Sequence, residues 1–149
     1  MKLLAALDFS STTPVVLHEA LTWANRLKAK LWLIHVAEPD PDFIGYKPGP
    51  DTVRGAMAGK FHREHQQIET AAQELRAAGV DVTALLLQGP TAETILKEAD
   101  HLDVDAILMG TRARGAVREF LVGSTSKAVL HKSTRPVLLI PPHDADARR

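Results

Sequence analysis

The sequence contains no cysteine, which excludes disulfide bonds, thiolate metal sites and cysteine nucleophiles. Long apolar runs are also missing: none approaches the ~20 residues that a membrane-spanning helix requires. The apolar run at the N-terminus is interrupted by Asp8, which is too early for the hydrophobic region of a secretory signal followed by a cleavage site. These absences predict a cytoplasmic protein with no membrane span.

Neither sign of charge is in excess. The chain has 18 Lys+Arg and 18 Asp+Glu, so its formal net charge is +0. A general nucleic-acid binder usually carries a basic excess, and we therefore expect no nucleic-acid partner. The length of 149 residues is enough for one domain with its own core. We expect that domain to cover residues 1–143 and a loose tail to cover residues 144–149.

Apolar runs alternate along the chain with segments of helical periodicity. Continuous apolar runs are typical of strands covered on both faces, and strands that alternate with helices predict a parallel sheet. We expect one doubly wound α/β domain, with a five-stranded parallel sheet of order 3-2-1-4-5 and helices on both faces. The expected strands are Leu3–Leu7, Leu31–Val36, Val80–Leu87, Asp105–Met109 and Pro136–Ile140.

The segment that follows the fourth expected strand favours an anion. In doubly wound sheets, ligands bind beyond the strand ends where the strand order reverses, and Asp8 and Gly110 mark two neighbouring ends there. Farther along, Gly123 precedes Ser124-Thr125-Ser126, which is typical of a capped helix start. Free amides and the helix dipole favour negative charge at such a start. The pattern predicts phosphate binding, with a plain N-cap cluster as the alternative.

Familiar catalytic and nucleotide motifs do not match. The spacing from Gly110 to Gly115 imitates the start of a Walker A loop, but Ala116-Val117 stand where that loop needs Lys and Ser or Thr. No dinucleotide fingerprint follows the first strand, and no nucleophile elbow is present. We therefore expect no catalytic residue, and a protein that is not primarily an enzyme.

Several motifs in order carry a resemblance to a known family. The first strand ends in Leu7-Asp8-Phe9-Ser10, the second ends in His35-Val36, and Gly89-Pro90 opens a helix. The fourth leads into Gly110, two residues, Ala113, nine residues and Gly123-Ser124. This resembles the signature Gly-x2-Gly-x9-Gly-Ser/Thr of the universal stress protein family. The resemblance covers nearly the whole chain and implies a flavodoxin-like, Rossmann-like fold.

The resemblance is to the subgroup that binds ATP, and it implies a nucleotide site. Asp8 would lie near the ribose and phosphates, while the backbone of Ala6 and Val36 would contact the sugar and adenine. Met109 and Gly110 would line the nucleotide. The bound ligand would be ATP, or AMP or ADP, with Mg²⁺ or Mn²⁺ on the phosphates and no dedicated protein metal site. The expected site residues are Ala6, Asp8, Val36, Met109, Gly110, Ala113, Gly115, Gly123, Ser124 and Thr125.

One signature position departs from the family pattern. Ala113 stands where the second glycine is expected. If this position requires a positive φ or a very close backbone approach, the methyl group is unfavourable; in ordinary backbone it costs little. Gly115, two residues farther on, could relax such strain. The departure bears on nucleotide affinity rather than on membership of the family.

Three functions follow from these observations. The first is an ATP-binding regulatory protein that acts as a nucleotide-responsive dimeric module in the stress response, with an unidentified protein partner. The second is a dimeric interaction protein of the same fold with a vestigial nucleotide site. The third is a slow ATPase. The resemblance implies a homodimer, or a tetramer, through the edge strand Val137–Ile140, whose apolar unpaired edge requires cover.

Overall fold

The computed structural model describes residues 1–37, 51–113 and 120–142. Gly115 and the expected tail at 144–149 lie outside these residues, so the interpretations placed on them stay predictions. In chain order the elements are β1 (Lys2–Ala6), α1 (Thr13–Leu27), β2 (Lys30–Ala37), α2 (Asp51–Ala77), β3 (Val82–Gln88), α3 (Thr91–His101), β4 (Ala106–Gly110), β5 (Arg112–Ala113), β6 (Phe120–Leu121), α4 (Ser124–Lys132) and β7 (Val137–Ile140).

Five strands form one parallel sheet in the order β3-β2-β1-β4-β7. This confirms the predicted fold class and the order 3-2-1-4-5, with β7 as the fifth strand of the sheet. A second ladder was not predicted: β5 and β6 pair antiparallel, with Arg112 opposite Leu121. Strands of two residues are too short to leave a period in the hydrophobic pattern.

The sheet is covered on both faces because its strands are apolar on both sides. In β1, Leu3 and Ala5 belong to the cluster that packs against α1 and α2, whereas Leu4 belongs to the cluster against α3 and α4. Leu33 and Ile34 divide in the same way on β2. Side chains alternate across a strand, so a continuous apolar run supplies both cores.

Local sequence features mark the end of α2 and the start of α1. α2 stops at Ala77, and Gly79 follows with φ +90°, a left-handed conformation that glycine adopts without strain. At the start of α1, Pro14 lies in the first turn, where its missing N–H costs nothing. Thr12, the N-cap, makes no side-chain capping bond. Its hydroxyl instead lies 2.8 Å from the hydroxyl of Ser10.

Arg135 makes hydrogen bonds at the end of the sheet where the strands begin, opposite the strand C-termini. Its Nε donates to Asp100 at 3.1 Å and its Nη1 donates to Asp103 at 3.2 Å and to the Val104 carbonyl. The hydrogen bond to Asp100, followed by that to Asp103, raises the pKa of the guanidinium above its usual value. These contacts hold the start of β7 beside the start of β4.

Within the described residues, no helix has the length and apolar character that a membrane span requires.

Candidate functional site

A cleft of about 400 Å³ lies at the C-terminal ends of β1, β2 and β4, where the strand order reverses and doubly wound domains bind ligands. We call it the cleft. The structure brings eight of the ten predicted site residues into its wall: Ala6, Asp8, Val36, Met109, Gly110, Gly123, Ser124 and Thr125. These residues are far apart in sequence, and the parallel topology gathers them at one end of the sheet.

The N-terminus of α4 forms one wall of the cleft. Ser124 is its first residue, and Gly123 is the N-cap. The amides of a first helical turn have no partner inside the helix, and Gly123 has no side chain with which to cap them. Apart from its two chain neighbours, no atom of the described residues lies within 4 Å of a Cβ built on Gly123. This wall therefore presents free N–H groups and open space, which suits an anion.

Gly110, the last residue of β4, brings α1 close to the cleft. A Cβ at this position would lie 3.0 Å from both Thr12 Oγ1 and Val16 Cγ2. The residue is paired in the sheet with Ile140, so the glycine is required by the close approach and not by a turn conformation. Its carbonyl accepts a hydrogen bond of 3.3 Å from the hydroxyl of Ser126 on α4. Gly110 thus joins α1, β4 and α4 around the cleft.

We expect Gly110→Val to lower the free energy of unfolding by about 1–3 kcal/mol, because overpacking a tight contact costs that much. Chemical denaturation followed by circular dichroism measures the change. Gly123→Val is the matched control, since its side chain enters open space. Equal stability of the two variants would show that the contact of Gly110 with α1 is not tight in solution.

Asp8 follows β1 and lines the cleft. Its Oδ1 accepts a hydrogen bond of 3.0 Å from the backbone N–H of Ser10, which shapes the turn into α1. The loop between β1 and α1 is tightly bent, because Phe9, the residue after Asp8, has a φ of +54°. Asp8 therefore has a local structural role as well as a position at the strand end where the predicted site lies.

Sequence reasoning missed the contribution of α2 to the cleft. Lys60 and Glu64 line it, and Glu64 Oε1 lies 3.7 Å from His35 Nε2 and 3.9 Å from Lys60 Nζ. The other ring nitrogen of His35, Nδ1, is 2.8 Å from the Leu7 carbonyl, and a carbonyl requires Nδ1 as the donor. In the sequence, Lys60 and Glu64 have the ordinary i,i+4 spacing of a solvated helix face, so no signal distinguished them.

For Ala113 the structure describes the backbone, which lies in β5 opposite Phe120; its role in the site stays a prediction. Gly115 lies outside the described residues. Among the residues that the structure describes, no group of three or more His, Asp or Glu side chains could hold a metal ion.

Comparison with known proteins shows the family to which this chain belongs. Residues 1–141 match the profile of the universal stress protein family. The chain belongs to the universal stress protein family. A universal stress protein of Thermus aquaticus is 36% identical over 118 residues, which span 75% of this chain and 77% of the relative.

Solved structures of universal stress proteins and their relatives have the same fold. The structure of the hypothetical protein MJ0577 superposes with a TM-score of 0.77 at 26% identity, covering 97% of both chains. A universal stress protein of Archaeoglobus fulgidus, solved in complex with dAMP, gives 0.65 at 22% identity and covers 94% of this chain and 97% of that one. That second similarity establishes the fold alone. The prediction of the family from its motifs is confirmed.

Proposed function

We propose that this universal stress protein binds ATP, with Mg²⁺ or Mn²⁺ on its phosphates, in the cleft, and acts as a dimeric regulatory module in the cytoplasmic stress response. The observation that carries the proposal is the open N-terminus of α4, where the N-cap is Gly123 and where, among the described residues and apart from its chain neighbours, no atom lies within 4 Å of a Cβ built on it. A family member of the same fold, from Archaeoglobus fulgidus, was solved in complex with dAMP.

In the proposed binding mode, different parts of the cleft contact the phosphates, the sugar and the base of the nucleotide. Triphosphate oxygens accept hydrogen bonds from the first-turn amides of α4 and from the hydroxyls of Ser124 and Thr125. The sugar lies near Asp8, and the base lies beside the ends of β1 and β2, where Ala6 and Val36 line the cleft. AMP and ADP would occupy the same place with fewer phosphate contacts.

Regulation rather than turnover is the proposed task. Phosphoryl transfer requires a residue that positions the attacking water or hydroxyl. Of the carboxylates that line the cleft in the described residues, Asp8 shapes its own loop and Glu64 pairs with His35 and Lys60. Phosphate release from ATP should therefore stay at the background rate, and release that depends on Asp8 would favour the slow ATPase.

Calorimetric titration of nucleotide-stripped protein with ATP, with and without Mg²⁺, tests the proposal. We expect micromolar affinity, equivalent to about −8 kcal/mol, and an increase of melting temperature with ATP concentration. Absence of both heat and thermal stabilisation at millimolar ATP would contradict the proposal. The interaction protein with a vestigial site would then be the favoured function.

An observation at the free edge of the sheet supports the alternative function, a dimeric interaction protein. β7 is an edge strand of the sheet, and beside it a groove of about 560 Å³ is lined mainly by apolar side chains from α1 and β7, together with His18 and Glu19. Trp23, which borders this groove, is 41% exposed. An apolar edge strand next to an exposed aromatic residue is suited to pairing with a second copy, so the dimer is proposed for either function.

A further inference from the structure

The loop between β1 and α1 holds Asp8 next to a residue in an unfavourable backbone conformation. Phe9 has a φ of +54°, in the left-handed region that a bulky side chain rarely adopts. Such a residue keeps its conformation only where the surrounding structure determines it. The hydrogen bond from Ser10 to Asp8 lies within the loop, so the loop also requires contacts from other elements.

His35, on β2, makes two such contacts. Its Nδ1 donates a hydrogen bond of 2.8 Å to the carbonyl of Leu7, the residue before Asp8. Its ring lies against the ring of Phe9, the residue after Asp8, with 4.5 Å between the two centroids. Leu7 is buried, and a buried carbonyl requires a donor. One side chain thus contacts both residues that flank Asp8.

The ring of His35 also takes over where the backbone pairing of β1 with β2 stops. The register of these strands ends at Ala6 and Ile34, and His35 is the next residue of β2. Only 12% of its side chain is exposed, and Glu64 Oε1 on α2 lies 3.7 Å from its second nitrogen, Nε2. The ring is therefore held between β1 and α2, and the bond that Nδ1 donates fixes its tautomer.

We propose that His35 is a positioning residue of the nucleotide site, which holds the loop so that the Asp8 carboxylate meets the bound nucleotide in a fixed place. This inference rests on the proposed function, because His35 acts through Asp8. His35 also lines the cleft, so direct contact with the ligand is the competing role.

The first measurement needs no nucleotide. Two-bond ¹H–¹⁵N correlation spectra of the intact protein show which ring nitrogen of a histidine carries the proton, and the His35 signals are those missing from the spectrum of His35→Asn. We expect His35 to be protonated at Nδ1, as the bond to Leu7 requires. A ring protonated at Nε2 alone would contradict that bond and overturn the proposal.

Substitutions of His35 then test the effect on binding. We expect His35→Leu to weaken ATP binding about tenfold, because a hydrogen bond from a misplaced carboxylate is lost. The amide nitrogen of asparagine, like Nδ1, is bonded to Cγ and can donate to Leu7. His35→Asn should therefore stay within about threefold of the wild-type affinity. His101→Leu is the matched control, since the His101 side chain is 75% exposed at the end of α3; it should bind ATP normally.

A double-mutant cycle with Asp8→Ala distinguishes positioning from direct contact. Asp8→Ala should also weaken ATP binding about tenfold. In that background His35→Leu should change the affinity by about twofold or less, because a residue that acts through Asp8 has nothing left to position. Losses that multiply would show that His35 contacts the ligand itself, and an unchanged affinity in Asp8→Ala would remove the group through which it acts. Either result overturns the proposal.

The outcomes separate this inference from the proposed function. Wild-type protein that binds ATP no better than His35→Leu contradicts the positioning role alone. Wild-type protein that binds no ATP overturns the nucleotide site and the positioning role together. Where circular dichroism shows that His35→Leu does not fold, His35→Gln replaces it: its amide nitrogen is one atom farther from Cγ and does not reproduce Nδ1. That variant should lose as much affinity, and wild-type affinity in it would contradict the proposal.

Discussion

Gly123→Val is expected to abolish ATP binding while the protein remains folded. The N-cap of α4 has φ −59° and ψ 159°, an extended conformation that every residue adopts. The added side chain enters open space in the wall of the cleft, where it would occupy the proposed phosphate position. We expect the affinity for ATP to fall about 100-fold or more, equivalent to about 2.7 kcal/mol of binding free energy.

Two measurements make this result interpretable. Thermal denaturation without ligand should show a change in stability below about 1 kcal/mol, because glycine is only a moderate N-cap and valine a poor one. Gly123→Ala is the matched variant: its single methyl group leaves most of the space free, and it should retain most of the affinity. Unchanged affinity in Gly123→Val would show that the phosphates do not bind at the N-terminus of α4.

The fold was predictable because each strand of the main sheet is largely apolar. Leu31–Ile34, for example, is buried on both faces of β2, and such a run is typical of a strand with helices on both sides. The end of α2 is also set by local sequence, because Gly79 adopts its positive φ without strain. The pairing of Arg112 with Leu121 is not local and left no pattern.

The cleft was predictable only in part. Strand ends and the start of α4 are recognisable in sequence, since a strand C-terminus and an N-cap each have characteristic residues. Gly110 was expected to line the site, but its contact with Val16 depends on how α1 packs against β4. The role of Glu64 depends on the packing of α2 beside β2, where it meets His35. Such contacts are set by tertiary structure.

The hydrogen bonds of β7 define which of its backbone groups are free for a partner. The carbonyl of Pro136, which precedes β7, accepts a hydrogen bond of 2.9 Å from the N–H of Ile107. The carbonyl of Ile140 accepts one of 2.8 Å from the N–H of Thr111. Backbone groups alternate in direction along a strand, so the even-numbered residues of β7 face β4. The N–H groups of Val137 and Leu139 therefore face away from the sheet.

Leu139→Pro should convert the proposed dimer to a monomer without unfolding it. Proline removes the outward N–H of residue 139, on which pairing with a second strand would depend, and leaves the hydrogen bonds to β4 in place. Proline is tolerated on edge strands where the N–H faces solvent, and it keeps an apolar group against the cluster beneath α3 and α4. Sedimentation velocity over a concentration series measures the change.

Leu139→Val is the control for this substitution, because it shortens the same side chain and keeps the N–H; it should remain dimeric. We expect the dissociation constant of the dimer to rise about tenfold or more in Leu139→Pro, equivalent to about 1.4 kcal/mol. ATP titration of the monomeric variant should give the wild-type affinity, because the described lining of the cleft lies away from β7. A folded Leu139→Pro protein that stays dimeric would place the interface elsewhere, with the groove beside Trp23 as the next surface to test.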